Sequence, residues 1–514
     1  MVLRYSVAPF LQHACRSAYD VVRCSPRGVT KHCRSRRRQF SSSSGKDTRL
    51  ISYLTDLEGH ARYWKRYVDN SSVLRFGGRD GRVEFMDDRA ILIFGGDVWD
   101  KGGSDLYVIN ELLSLKEKYP HRVHFVMGNR DINKMRLWQE LNALHHDGVW
   151  WKGEETPPTQ KKARLSWILG RTMGSPNAFE YRRQELASLL DKDEITDDDI
   201  TQSYLESCHP SSGAMGQYLS KACLALKLGN LLVIHGALPW ASLNTPYLPQ
   251  PWMSSTNPLS PSDWLESLNL FAKSQVEQWR LNAENHNGLW SHGVWATVGG
   301  FDYWPDEESP YQYSQLMQYG MGWLPGRTRI PTIVYSSWML DGMPRRFFDS
   351  DQNWFSQRTQ KFMQDANIQI ILSGHQPQGD WPTPINIGAK DRWILACDTS
   401  YSGDVRWIGE DNRKASLAGG RDDKNEAVVE TLLEQCVNTG YVNSVRTHGI
   451  LSNGQRFTST NMLESQHAGK LLASDKVSPD SRPWWVKAEC QDSSELLLYT
   501  SGGGYEVVNA IANH

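Results

Sequence analysis

Six short apolar runs, each breaking off into a polar box, constrain this chain more than any other feature. They are Arg49–Thr55 before Asp56-Leu57-Glu58-Gly59, Ala90–Phe94 before Gly95-Gly96-Asp97-Val98-Trp99-Asp100-Lys101, and Arg122–Met127 before Gly128-Asn129-Arg130-Asp131. Leu231–Ile234 before His235-Gly236, Ile368–Leu372 before Ser373-Gly374-His375-Gln376-Pro377, and Trp393–Cys397 before Asp398 complete them. Runs this short and this apolar predict strands buried on both faces. Between them, Asp105–Tyr119 carries Leu106, Ile109, Leu112 and Leu113 at helical spacing and is stopped by Pro120; Asn353–Asn367 is a second predicted helix. Strands alternating with helices indicate an α/β fold. Polar residues at the carboxyl ends of such strands fall where open α/β sheets place ligands.

Two long stretches interrupt the alternation. Residues 148–223 are helical in pattern, with an acidic patch at Asp191–Asp199, and residues 239–331 are rich in Trp, Tyr and Pro. Both are expected to be insertions able to roof a site. Beyond Glu410 the boxes cease, and Val445–Phe457 and Leu496–Val508 read as hairpins. The expected organisation is a leader over 1–40, a main domain over 41–410, and a C-terminal extension over 411–514 packed on the core.

The leader expectation comes from charge. Residues 1–40 hold nine Lys/Arg and a single acid, Asp20, and Arg38-Gln39-Phe40 precedes four serines. That composition predicts a transit peptide, mitochondrial before plastid, with a cytoplasmic protein as the alternative. The remaining chain carries 47 basic and 57 acidic residues. An acidic body argues against a nucleic-acid partner held by bulk electrostatics. No apolar stretch reaches the ~20 residues of a membrane helix, so no transmembrane segment is expected. The eight cysteines include no CxxC pair, which fits a reducing compartment and neither a zinc knuckle nor a disulfide framework.

Phosphoryl hydrolysis is served by two cations ~3.5–4 Å apart that clamp the attacking and leaving oxygens and acidify water. A carboxylate touching both must hold that separation. Asp97, at a strand end behind two glycines, is placed for it. In this order the boxes resemble those of the calcineurin-like metallophosphoesterases, particularly the phosphoprotein-phosphatase branch and its Shewanella-like group. Leu289-Trp290-Ser291 and Asp398-Thr399-Ser400 resemble smaller landmarks of that group. The resemblance spans about 49–410, the insertions excepted. It implies an α-β-β-α sandwich of two mixed sheets with helical insertions and a β-rich C-terminal extension. It implies a first divalent ion on Asp56, Asp97 and the residue at 58, and a second on Asp97, Asn129, His235 and His375. Manganese or magnesium is expected before iron or zinc. The implied reaction is phosphoester hydrolysis by hydroxide held between the cations, on a phosphorylated small molecule, nucleotide or phosphoprotein. Asp100 and Asp131 would orient the centre. Lys101, Arg130 and His292 would meet phosphate, with Arg345 or Arg346 as further contacts.

Two positions depart from the family pattern. Glu58 stands where the family has a histidine ligand, and an added oxygen donor leans toward Mg²⁺ or Mn²⁺. His60, two residues on, is a rival ligand. Arg130 stands where the family has the histidine that protonates the leaving group. Arginine cannot do so, since it does not deprotonate, although it binds phosphate as a fork. It is expected either to pair with Glu58 or to grip substrate phosphate, with an ion pair to Asp131 or Asp100 as the structural alternative. Losing a general acid, typically worth ~10²–10⁴-fold, biases activity toward aryl and phosphoanhydride leaving groups. Two other classes compete: a catalytically impaired phosphatase-like scaffold, and a nucleotide phosphodiesterase or dinucleotide hydrolase whose aromatic insertion stacks a base.

Overall fold

The computed structural model describes residues 47–77, 81–142, 158–239, 248, 259–284, 314–324, 328–329, 331–340, 343–345, 354–377, 379, 381–387, 392–399, 427–451, 454–472, 484–493, 495–500 and 504–509. The six apolar runs all form strands: Thr48–Leu54, Ile91–Phe94, Val123–Val126, Leu231–Ile234, Ile370–Ser373 and Trp393–Ala396. They divide between two sheets. In the first, Thr48–Leu54, Ile91–Phe94, Val123–Val126 and Ala222–Cys223 lie side by side and parallel. In the second, Ile370–Ser373 runs parallel between Leu231–Ile234 and Trp393–Ala396, and Ala225–Leu228 and Thr383–Asn386 close the two edges antiparallel.

Side-chain alternation along the strands builds three layers of contact. Ile51, Ile91 and Ile93 of the first sheet meet Leu231, Val233 and Ile370 of the second in one buried cluster. The intervening residues point outward: Leu54, Leu92 and Phe94 share a cluster with Ile109 and Leu112 of helix Asp105–Lys118. Trp264 and Leu268 of helix Pro261–Glu284 and Met363 of helix Trp354–Asp365 join the same outer cluster as Leu232 and Ile371. The result is an α/β sandwich of two mixed sheets with helices outside. Each fully buried Ile or Leu contributes about 1.5–3 kcal/mol through its removal from water. Strands apolar at nearly every position are the ones covered on both faces, which is why the runs are legible.

The C-terminal segment differs from the expected extension. Val428–Cys436 pairs antiparallel with Thr48–Leu54, from Cys436 opposite Thr48 to Thr431 opposite Tyr53. Val442–Ile450 and Arg456–Thr458 then continue the first sheet outward, giving seven strands. Residues 428–458 therefore belong to the main sandwich. The remaining strands, Leu471–Leu472, Trp484–Glu489, Glu495–Thr500 and Gly504–Asn509, form a separate four-stranded antiparallel sheet.

The helical stretch after 148 has a cluster of its own. Leu165, Ile168 and Leu169 pack with Ile200, Tyr204 and Cys208, across helices Lys161–Trp167 and Asp197–Ser207 and the π-helical turn Ile168–Thr172. Its last part re-enters the main fold: Tyr218 of helix Ala214–Lys221 donates to the Val126 carbonyl at 2.7 Å, and Ala222–Cys223 is a sheet edge. Among the described residues no helix is long and apolar enough to cross a membrane. The expected leader, Leu289-Trp290-Ser291, His292, Arg346 and Ser400 lie outside the described residues.

Candidate metal centre

The carboxyl ends of strands from both sheets meet at one place, and main-chain bonds tie them there. Asp56 N donates to Gly96 O and Glu58 N to Asp97 O, both at 2.9 Å, which couples the first two boxes. Gly374 N donates to His235 O at 2.7 Å within the second sheet. His375 N donates to the Asp56 carboxylate at 3.1 Å, crossing from one sheet to the other. The turns are strained. Asp56, Glu58, Asp97, Asp100 and His375 all have positive φ, between 47° and 104°. For residues with a side chain this conformation is disfavoured, and clusters of it mark ligand sites. Gly96 has φ 102°, and a Cβ there would lie 2.9 Å from His235 Nδ1. Only glycine lets these two boxes close on one another.

Asp97, His235 and His375 each aim a ligand atom at a common space, all within 4.8 Å of one another. Asn129, the first residue of the short helix Asn129–Asn133, adds its Oδ1 at 3.1 Å from His235 Nε2 and 3.0 Å from His375 Nδ1. Asp97 Oδ2 lies 3.4 Å from His235 Nε2. Ligand atoms about 2.0–2.2 Å from one ion stand about 3.0–3.5 Å apart, so these spacings suit a shared cation. The tautomer agrees. His235 Nδ1 is 2.9 Å from the Gly95 carbonyl, which accepts its proton. Nε2 of the neutral ring is then a lone pair facing a carboxylate oxygen and an amide oxygen, and three acceptors in contact require a cation between them. A proton can serve: burial lowers the His235 pKa, but Asp97 and Asp56 outweigh it and lift it to about 10. Burial likewise raises Asp97, yet His235 and Arg130 hold it well below the ordinary carboxylate range.

Asp56 lies beside this group. Its carboxylate accepts from Thr55 Oγ1 at 2.5 Å, and burial, with Asp398 and Asp97 near it, pushes its pKa well up. Glu58 is differently engaged. Its Oε1 is 3.0 Å from Arg130 Nε and 3.1 Å from Lys101 Nζ, while Oε2 is buried without a hydrogen-bond partner. Arg130 Nε is also 3.7 Å from Asp97 Oδ2. Its Nη1 donates to Met173 O and Ser175 Oγ, each at 3.1 Å, and lies 3.4 Å from Asp100 Oδ2. Arg130 therefore pairs with Glu58, one of its two expected engagements, and also touches Asp100. Burial and the Arg130 charge lower the Lys101 pKa to about 8 against the pull of Glu58.

Asp131 and Asp100 hold the boxes from behind. Asp131 accepts from the backbone N–H groups of Asp97, Val98 and Gly128 at 2.8–2.9 Å. Burial and the Asp97 charge raise its pKa to about 6. His60 is the N-cap of helix Ala61–Asn70, its carbonyl accepting from Trp64 N. Arg345 is partly buried, and its backbone N donates to Trp338 O at 2.6 Å.

Several neighbours were not singled out from sequence. Lys134 Nζ sits fully buried 2.6 Å from Asp100 Oδ2. Met173 and Ser175 bring the helical insertion onto Arg130. Asp105 accepts from Asp100 N at 3.0 Å. The Tyr335 ring lies 5.2 Å from that of His375. Asp105, which opens a predicted helix directly after the second box, carried the one available signal: an acid at a helix start.

No family model and no curated protein matches this chain. Among solved structures it is similar to a cold-active protein-tyrosine phosphatase of a psychrophilic Shewanella species, with 14% identity, TM-score 0.36 and 80% of each chain covered. It is similar to a protein serine/threonine phosphatase from Saccharomyces cerevisiae (10% identity, TM-score 0.30, 84% of each chain). A metallophosphoesterase from Sphaerobacter thermophilus also matches, with 8% identity and TM-score 0.27, over 79% of this chain and 88% of that one. Likenesses this slight transfer neither a ligand nor an activity.

Proposed function

We propose that this chain is a metal-dependent phosphoester hydrolase whose substrates leave as phenolic or phosphoanhydride oxygens. The observation that carries the reading is the convergence of Asp97, Asn129, His235 and His375 on one space from the ends of both sheets. Two imidazoles, a carboxylate and an amide oxygen are a donor set for Mn²⁺, Fe²⁺ or Zn²⁺. A divalent cation bound there would supply Lewis-acid polarisation of a phosphoryl oxygen and a more acidic water.

The chain's own residues would do the rest. The Gly95 carbonyl holds the His235 ring in the tautomer that presents Nε2. Asp131 fixes the backbone that carries Asp97. Arg130 and Lys101 place two positive charges beside the centre, where a phosphate dianion is neutralised. No leaving-group proton comes from Arg130. Its guanidinium is committed to Glu58, Met173 O and Ser175, and the surrounding carboxylates raise its pKa further against the effect of burial. Alkoxide leaving groups suffer most from that lack.

The test is a paired assay. Chelator-treated protein reloaded with Mn²⁺ should hydrolyse an aryl phosphate or phosphotyrosine peptide ~10²-fold or more faster than a phosphoserine peptide at the same pH. Asp97→Asn should remove both bound metal and turnover. Equal rates on the two peptides would contradict the leaving-group reading. Metal bound without turnover on any phosphoester, nucleotides included, would leave a binding scaffold in its place.

A further inference from the structure

We infer that Arg130 and Lys101 occupy, as fixed protein cations, the place of one of two metal ions, so that this chain binds a single divalent ion. The inference rests on the proposal that the site holds a divalent cation at all, and it sets how many.

A second ion beside the first would draw on Asp56, Glu58 and Asp97 as oxygen ligands, each about 2.0–2.2 Å from it. The space between the Glu58 and Asp97 carboxylates holds the Arg130 guanidinium, with Nε 3.0 Å from Glu58 Oε1 and 3.7 Å from Asp97 Oδ2. Lys101 Nζ approaches the same Glu58 oxygen at 3.1 Å. One carboxylate oxygen thus meets two cations before any metal arrives. Nor is the guanidinium poised to swing aside. Its Nη1 is held by the Met173 carbonyl and the Ser175 hydroxyl at 3.1 Å. Glu58 Oε2 is buried with no hydrogen-bond partner and is the one Glu58 atom still open to an added cation. An ion there would share with Arg130 and Lys101 a carboxylate that both already pair with.

The Glu58 and Arg130 departures are then a single exchange: a protein-borne ion pair in place of a metal and its ligand.

Equilibrium dialysis of the full chain against excess Mn²⁺, with metal counted per chain by mass spectrometry, tests this directly. One ion per chain is expected, with the uncoupled Mn²⁺ paramagnetic resonance spectrum of an isolated ion. Asp56→Asn and Glu58→Gln should keep that ion, and His375→Ala should weaken its binding tenfold or more. Arg130→Met combined with Lys101→Met should bind a second ion and show a spin-coupled spectrum. Should the double variant not fold, Arg130→Lys, which keeps the charge, must still bind one. Two coupled ions in the native protein would overturn the inference while leaving the hydrolase proposal standing. No ion at all would overturn both. A single ion lost in Asp56→Asn but kept in His375→Ala would place it in the wrong half of the centre and overturn the inference.

Discussion

Lys134 is wholly buried, its Nζ 2.6 Å from an Asp100 carboxylate that is equally buried. Removing one partner of such a pair strands the other, at a cost of about 3–5 kcal/mol. Lys134→Met should therefore lower unfolding free energy by about 3 kcal/mol or more in urea titration, although Arg130 at 3.4 Å offers Asp100 partial relief. A loss below about 1 kcal/mol would show that the pair contributes little there. Sequence gave no hint of this lysine, because a charged residue at the end of a polar box reads as solvated. Glu58 and Arg130 were legible as unusual chemistry. Their pairing with each other was one of two expected engagements, and only coordinates could choose, since both side chains are long enough to serve either. The insertion residues Met173 and Ser175 carry no chemical signature of their role.

Elements rather than residues explain the acidic patch at Asp191–Asp199. Asp197, Asp198 and Asp199 form the first turn of helix Asp197–Ser207, where negative charge complements the helix dipole. Thr196 caps it: its hydroxyl accepts from Asp199 N at 3.1 Å, and the Asp199 carboxylate accepts from Thr196 N at 2.9 Å. Thr196→Ala should cost about 1 kcal/mol, seen as a lower melting temperature, with metal content unchanged. A change in metal retention would mean that this helix braces the centre more tightly than its bonds indicate. In those bonds Arg182 donates to Ser203 Oγ and Ser207 Oγ of this helix and to Asp105 Oδ2. The strands are legible within one or two residues because burial on both faces leaves mostly apolar runs, interrupted at Arg49, Ser52 and His124. Helix Asn129–Asn133, only five residues long, was invisible behind the box it carries.

Across the whole molecule, the least legible feature is the return of the C-terminus to the N-terminal strand. Val442–Ile450 and Arg456–Thr458 overlap the expected hairpin Val445–Phe457, yet nothing local says that the preceding strand, Val428–Cys436, pairs with one almost four hundred residues earlier. Glu430 ties that junction. It accepts from Ser52 Oγ, Ser71 Oγ and Ser72 N at 2.5–2.6 Å and lies 3.2 Å from His448 Nε2. Burial would raise the Glu430 pKa, but His448 and the serine hydroxyls hold it below its ordinary 4.5. Burial would lower that of His448, and Glu430 holds it above 6.5. The signs define a window. The Glu430 contribution is present above 4.5 and fades as pH falls through its lowered value; the His448 contribution is present below 6.5 and fades as pH rises through its raised value. Stability from this pair is thus greatest between 4.5 and 6.5. His448→Gln should flatten the alkaline side of the stability–pH curve, measured by denaturant midpoints; an unchanged slope would remove the pair from the account.

Residues from both sheets converge on a space that fits a divalent cation. Anomalous diffraction from a Mn²⁺-soaked crystal, recorded on either side of the manganese edge, tests it most directly. A peak is expected inside Asp97, Asn129, His235 and His375, each with a donor atom about 2.0–2.3 Å from it. A map with no peak among those four residues, under conditions where the ion is in excess, would contradict it.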